Sequence, residues 1–163
     1  MKRRLSIVLA LAIVCGLAIA VRTWLFTAVR IAGSSMENTL RSGDIALVTR
    51  LYGDAGHGDV VQCEFTGRSG SYVKRIVGLP GDTVAFSDGA LILNGKPLSE
   101  PYVSSKTEDM SIELSADEYL ALGDNRGQSY DSRAEDMGCI RRDQILGRVR
   151  WILWPLSRFG PVE

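Results

Sequence analysis

Residues 71–98 read SYVKRIVGLPGDTVAFSDGALILNGKPL, and this stretch decides the fold. It holds three short runs rich in branched or aromatic side chains, Ser71–Val77, Thr83–Phe86 and Ala90–Leu93, separated by turn signals. Leu79-Pro80-Gly81 suits a type II turn, with proline presetting φ and glycine supplying φ > 0. Asn94-Gly95, between LIL and KPL, is a two-residue hairpin signal. The stretch therefore reads as strands joined by tight turns.

The same pattern continues in both directions. Asp44–Val48, Asp59–Phe65, Glu118–Leu122 and Ile145–Leu153 are further strand candidates, and Met36–Arg41 is short enough for a single helical turn. Helix-length amphipathic stretches are scarce beyond Thr27. Residues 27–163 are expected to form one mainly β domain.

Composition excludes several functions. Lysine plus arginine and aspartate plus glutamate each number 19, so the net charge is zero. That argues against a nucleic-acid partner, which calls for a basic excess on one face. A hydrophobic content of 45% excludes a disordered chain. Cys15, Cys63 and Cys139 are far apart and His57 is the one histidine, so neither a metal site nor a disulfide-dense scaffold is expected. Cys63 and Cys139 are read either as free thiols or as a bridge in an oxidising compartment. Any serine-histidine mechanism would have to use His57.

The charge is also unevenly placed. Residues 1–22 carry four bases and no acid, leaving 15 bases against 19 acids in the rest. Leu5 to Val21 is 17 residues without a charge, behind Lys2-Arg3-Arg4. As a helix it spans about 26 Å, close to a hydrocarbon core of about 30 Å. We read residues 1–4 as a basic cytoplasmic tail and 5–26 as a transmembrane anchor, with the N-terminus inside and residues 27–163 outside. Ala18-Ile19-Ala20 leaves a cleavable signal peptide as the other reading.

Three segments carry chemistry. Gly33-Ser34-Ser35-Met36-Glu37-Asn38-Thr39-Leu40 surrounds a serine with small residues. In Ser71–Asp82, strand alternation puts Tyr72, Lys74 and Ile76 on one face and Val73, Arg75 and Val77 on the other. A lysine flanked by apolar groups is either an edge-strand residue facing water or a desolvated amine able to act as general base. The third segment, Gly123-Asp124-Asn125-Arg126-Gly127-Gln128-Ser129-Tyr130-Asp131-Ser132-Arg133, is dense in hydrogen-bonding groups. Asp131 with Arg126 or Arg133 is a natural ion pair there.

Together these segments resemble the bacterial type I signal peptidases, in the short form of Gram-positive bacteria. GSSMENTL resembles the family's S-M-x-P-T-L box and GDVV its G-D-I/V-V box. YVKRIVGLPGD matches the lysine box, and GDNRGQSYDSR the G-D-N-R-x-x-S-x-D-S-R box. The resemblance implies a folded-over antiparallel β-sheet catalytic domain behind one transmembrane helix in the plasma membrane. It also implies a serine endopeptidase, without cofactor, that removes signal peptides from exported preproteins after small residues at −1 and −3. Ser35 would be the nucleophile and Lys74 the general base, with Ser129, Asp131 and Arg133 supporting the dyad. The backbone N–H of Ser35 and a main-chain donor at Gly33 would form the oxyanion hole. Met36, Leu40, Tyr72 and Val73 would line the substrate pockets.

One departure is Asn38, where the family pattern has proline; asparagine suits turns. The alternative function is a non-catalytic, membrane-anchored relative in pilus assembly, which would be expected to lack the serine or the lysine. A self-cleaving repressor domain shares the chemistry but not the anchor. Trp151, Trp154 and Phe159, with Trp24 and Phe26, are read either as an interfacial belt against membrane lipid or, for the two C-terminal tryptophans, as core.

Overall fold

The computed structural model describes residues 11–16, 19, 25–50 and 53–163. The centre of the fold is β4 (Tyr72–Gly78), which lies between β3 (Val60–Cys63) and β9 (Glu118–Leu122), antiparallel to both. From there a curled sheet extends in the order β1 (Phe26–Arg30), β2 (Ile45–Thr49), β11 (Ile145–Trp154), β3, β4, β9 and β10 (Ile140–Arg141), with β12 (Gly160–Pro161) added to β11. A smaller four-stranded sheet has the order β7 (Lys96–Leu98), β6 (Ala90–Leu93), β5 (Thr83–Ser87) and β8 (Met110–Glu113). The mainly β expectation holds.

The turns form as their residues dictate. Asp82 N–H donates to the Leu79 carbonyl at 3.0 Å, and Gly81 has φ of 82° at the position where a type II turn needs it. Asn94 and Gly95 both have positive φ, as a type I′ hairpin requires, and they join β6 to β7.

Three apolar clusters meet along β4. Ile76 packs with Val61, Phe65, Tyr119 and Ala121, with Tyr72 against them. Val73 lies against Ile31, Met36, Leu40, Val48 and Val149. Val77 joins Val84, Phe86, Leu91, Leu120 and Leu122 under the small sheet. Both faces of β4 are therefore covered, and all residues from Lys74 to Gly78 are buried. A strand covered on both faces gives its polar residues no route to water.

Arg75 shows how one such residue is accommodated. Its guanidinium is 2% exposed and forms a bidentate pair with Asp124, itself fully buried, at 2.9 and 2.8 Å. It also donates to the Gly58 carbonyl and to Thr39 Oγ1, and it stacks 3.8 Å from the Tyr102 ring centroid. Every strong direction of the fork is used.

Most of the expected anchor (residues 5–10, 17, 18 and 20–24) and the tail 1–4 lie outside the described residues. Residues 11–16 are helical and exposed, and among the described residues no helix is long and apolar enough to cross a membrane. Cys63 and Cys139 are both free thiols, Cys63 buried with its pKa pushed up to about 12 by desolvation. Trp151 and Trp154 do not complete the core; both are exposed, near Leu156 and Phe159.

Removing one partner of a buried pair strands the other charge, at a cost of about 3–5 kcal/mol. Asp124→Ala is therefore expected to lower stability by that amount. Asp136→Ala, which breaks an exposed pair with Arg68, should cost far less. Urea unfolding of the two variants checks the contrast.

Candidate active site

The segment after β1 turns sharply at its serines. Glu37 N–H donates to Ser34 O at 3.0 Å and Leu40 N–H to Met36 O at 2.8 Å, closing a tight turn immediately after Ser35. Met36 and Leu40 lie one turn apart, and both are buried in the core with Ile31, Ala46 and Val48. That apolar footing leaves Ser35 half-buried at the head of the turn, where its main-chain N–H donates to no protein acceptor among the described residues.

The loop after β9 grips the same serines. Asn125 donates its backbone N–H to Ser35 O at 3.0 Å and its side-chain amide to Ser34 O at 3.2 Å. Ser34 Oγ donates to Gln128 Oε1 at 3.0 Å. The position of Ser35 is thus set from two elements far apart in the chain.

Lys74 comes from β4 and is 2% exposed. Its Nζ donates to Ser129 Oγ at 2.9 Å. Burial holds the amine below the ordinary lysine range, because the charged form loses its hydration; the Asp131 charge pulls it back up, and Arg133 opposes that pull. Asp131 is committed elsewhere. It accepts from Gly123 N–H at 2.9 Å and binds Arg133 through both oxygens at 2.8 and 2.9 Å. Burial alone would raise its carboxyl, but Arg133, the Gly123 N–H and the Ser129 hydroxyl outweigh it and keep the group ionised. Arg133 also donates to the carbonyls of Arg126 and Ser129, fixing the loop that carries the hydroxyl.

Gly123 joins the two halves. The Ser35 carbonyl oxygen lies 2.5 Å, and Ser129 Oγ 2.2 Å, from the point where a Cβ at residue 123 would stand. Only a glycine lets the serine turn and the hydroxyl facing Lys74 approach this closely. The Ser35 hydroxyl and Lys74 Nζ are not hydrogen-bonded to each other in this structure, but Ser129, which Lys74 bonds, meets the Ser35 main chain across Gly123. Such bonds often tighten only with substrate bound.

A cleft of about 430 Å³ opens beside Ser35, lined by Gly33, Met36, Tyr72 and Val73 among others. It runs between β1, whose outer edge is unpaired among the described residues, and the Tyr72–Val73 end of β4, which pairs with β3 but lies short of β9. Leu40, expected on the pocket wall, instead lies wholly in the core and does not line the cleft. His57 lines no part of it; its Nε2 is 2.6 Å from Asp82 Oδ2 at the Leu79–Asp82 turn.

The sequence pattern assigns no role to Gly123, Asn125, Gln128 or the Arg75–Asp124–Thr39 cluster. Nor does it point to the segment after β7, where Glu100 pairs with Arg126, Thr107 accepts from it, and Ser105 Oγ accepts from Gly127 N–H. Asn38 has φ of 86°, out of reach of a proline ring fixed near −65°, and its amide donates to the Tyr102 carbonyl. The turn after Ser35 therefore follows a path that the family's proline could not take.

Comparison with known proteins bears on this arrangement. The family described as "Signal peptidase, peptidase S26" matches residues 4–154. Signal peptidase I of Bacillus licheniformis is 34% identical, over 94% of this chain and 90% of that protein. Signal peptidase I T of Bacillus subtilis is 34% identical, over 91% of this chain and 84% of that protein. Among solved structures, a signal peptidase I from Enterococcus faecalis superposes with a TM-score of 0.54 at 29% identity. The match covers 59% of this chain and 97% of that one.

Gly123→Ala drives a methyl into Ser129 and the Ser35 carbonyl, so one of them must move. Peptide cleavage is expected to fall at least 100-fold, at a stability cost of about 1–3 kcal/mol typical of overpacking. Steady-state kinetics alongside urea unfolding separate the two effects.

Proposed function

This chain belongs to the signal peptidase family, peptidase S26, and is a peptide-bond hydrolase; we propose that Ser35 is its nucleophile and Lys74 its general base. The observation that carries this reading is a buried lysine whose one hydrogen-bond partner among the described residues is a hydroxyl, beside a serine at a cleft mouth. A neutral amine donating one N–H to Ser129 keeps its lone pair free for the Ser35 proton.

The steps follow from that state. Ser35 Oγ attacks the substrate carbonyl as Lys74 takes its proton. The Ser35 N–H, with a main-chain donor at Gly33, stabilises the oxyanion. The intermediate collapses, the C–N bond breaks, and the Lys74 ammonium protonates the departing amine. Water then attacks the acyl-enzyme as Lys74 accepts its proton, and the C–O bond breaks as the Lys74 ammonium returns that proton to Ser35 Oγ. Ser129 orients the amine, while Asp131 and Arg133 hold Ser129.

The substrates of this reading are exported preproteins cut at the end of their signal peptides. An extended peptide lies in the cleft between two unpaired strand edges, which supply main-chain hydrogen bonds on both sides. The narrow walls at Met36, Tyr72 and Val73 accept small side chains at −1 and −3 and reject large ones by clash. The apolar run Leu5–Val21 anchors the enzyme in the plasma membrane, with the catalytic domain outside. Exposed Phe26, Trp151, Trp154 and Phe159 support contact with lipid headgroups; Trp151 and Phe159 pack 5.4 Å apart.

Ser35→Ala and Lys74→Ala are each expected to abolish cleavage of a preprotein, while His57→Ala leaves it nearly intact. Gel assay of purified variants checks this; a His57→Ala loss equal to that of Ser35→Ala overturns the lysine-base reading. Because the amine must be neutral and burial favours that form, activity should rise with pH and level off well below the ordinary lysine value of about 10.4. A kcat/KM profile against pH measures the limb, which an unshifted lysine would place near 10.4.

A further inference from the structure

The cleft has two chemically different ends. Near the dyad its walls are small or apolar: Ala32, Gly33, Met36 and Val73. Moving away, β1 recedes from Ser35 toward Arg30 while β4 recedes from Lys74 toward Tyr72 and Ser71. The far end is therefore bounded by Arg30, Ser71 and Gln62, whose amide donates to Ser71 Oγ at 2.8 Å. Arg30 is the one lining residue charged at neutral pH. It is exposed, and among the described residues no carboxylate pairs with it. Four arginines of the domain, Arg75, Arg126, Arg133 and Arg158, are matched to acids, whereas Arg30 faces the cleft with its charge uncompensated among the described residues.

Distance converts this into a substrate position. Arg30 stands five residues before Ser35, and Ser71 three before Lys74. At about 3.3 Å per extended residue, the polar end lies about 10 Å from Lys74 along β4 and at most about 16 Å from Ser35, because the chain bends at Gly33. A peptide with its −1 residue at Ser35, lying extended along β1, brings residues −4 to −6 there.

On the footing of the dyad reading above, we propose that the far end of the cleft is a subsite for polar or acidic side chains at −4 to −6, with Arg30 the residue that reads their charge. An acidic side chain at −5 meets an uncompensated guanidinium; a lysine there meets a like charge. Because Arg30 is exposed to solvent, the preference is modest and falls with salt.

The test uses one peptide substrate in three forms, with Glu, Gln or Lys at −5. For the wild-type enzyme at low salt, kcat/KM is expected to fall in the order Glu, Gln, Lys. The span between the ends should be about fivefold and carried by KM. Arg30→Gln should flatten the series and Arg30→Glu invert it, while 0.5 M salt compresses the wild-type span. The same order in Arg30→Glu as in the wild type, or no order in the wild type, overturns the proposal. Binding of the three peptides to the Ser35→Ala variant, read by fluorescence anisotropy, separates the two readings. If no form is cleaved, the dyad assignment fails. The binding order alone then decides for Arg30: Glu tightest supports the subsite, and equal affinities refute it.

Discussion

Two neighbouring basic side chains are buried on one strand, and the structure treats them in opposite ways. An arginine cannot lose its proton, so Arg75 must be matched by a carboxylate, and Asp124 supplies both oxygens. A lysine can lose its proton, and Lys74 is offered only a hydroxyl. The nearest carboxylate, Asp131, is already held by Arg133 and the Gly123 N–H. Burial then favours the neutral amine, which is the form a general base requires. In the proposed mechanism, the preference of Lys74 for the neutral form follows from where β4 sits in the sheet.

The same burial explains the surrounding hydrogen bonds. Thr39 joins the serine turn to the Arg75–Asp124 pair, donating to Asp124 and accepting from Arg75. Asp124 and Asn125 are consecutive, so the loop that neutralises Arg75 also holds the Ser35 carbonyl. From the other side, the segment between β7 and β8 braces both loops, through Asn38 to Tyr102 and through Arg126 to Glu100. The small sheet thus supports the site without contributing to its chemistry.

Much of this was legible in the sequence because it is local. Seven strands and two turns follow from branched side chains punctuated by Pro-Gly and Asn-Gly. What escaped is non-local. Whether Lys74 faces water or protein depends on β3 and β9 closing over it, and strand alternation gives only its face. The resemblance puts Leu40 on the pocket wall, yet the tight turn after Ser35 points it into the core. Gly123 is one glycine among 17, and nothing near it announces that Ser35 and Ser129 must meet there. The strands β1 and β8 alternate exposed and half-buried residues, leaving no apolar run to find.

The central claim is the protonation state of one amine, and the chain has four lysines, Lys2, Lys74, Lys96 and Lys106. Nuclear magnetic resonance titration of the protein labelled with carbon-13 at lysine Cε resolves them individually. The account predicts that the signal absent from Lys74→Ala titrates well below the ordinary lysine value of about 10.4. A Lys74 signal titrating at that ordinary value would show that Lys74 is a cation at neutral pH and would contradict the account.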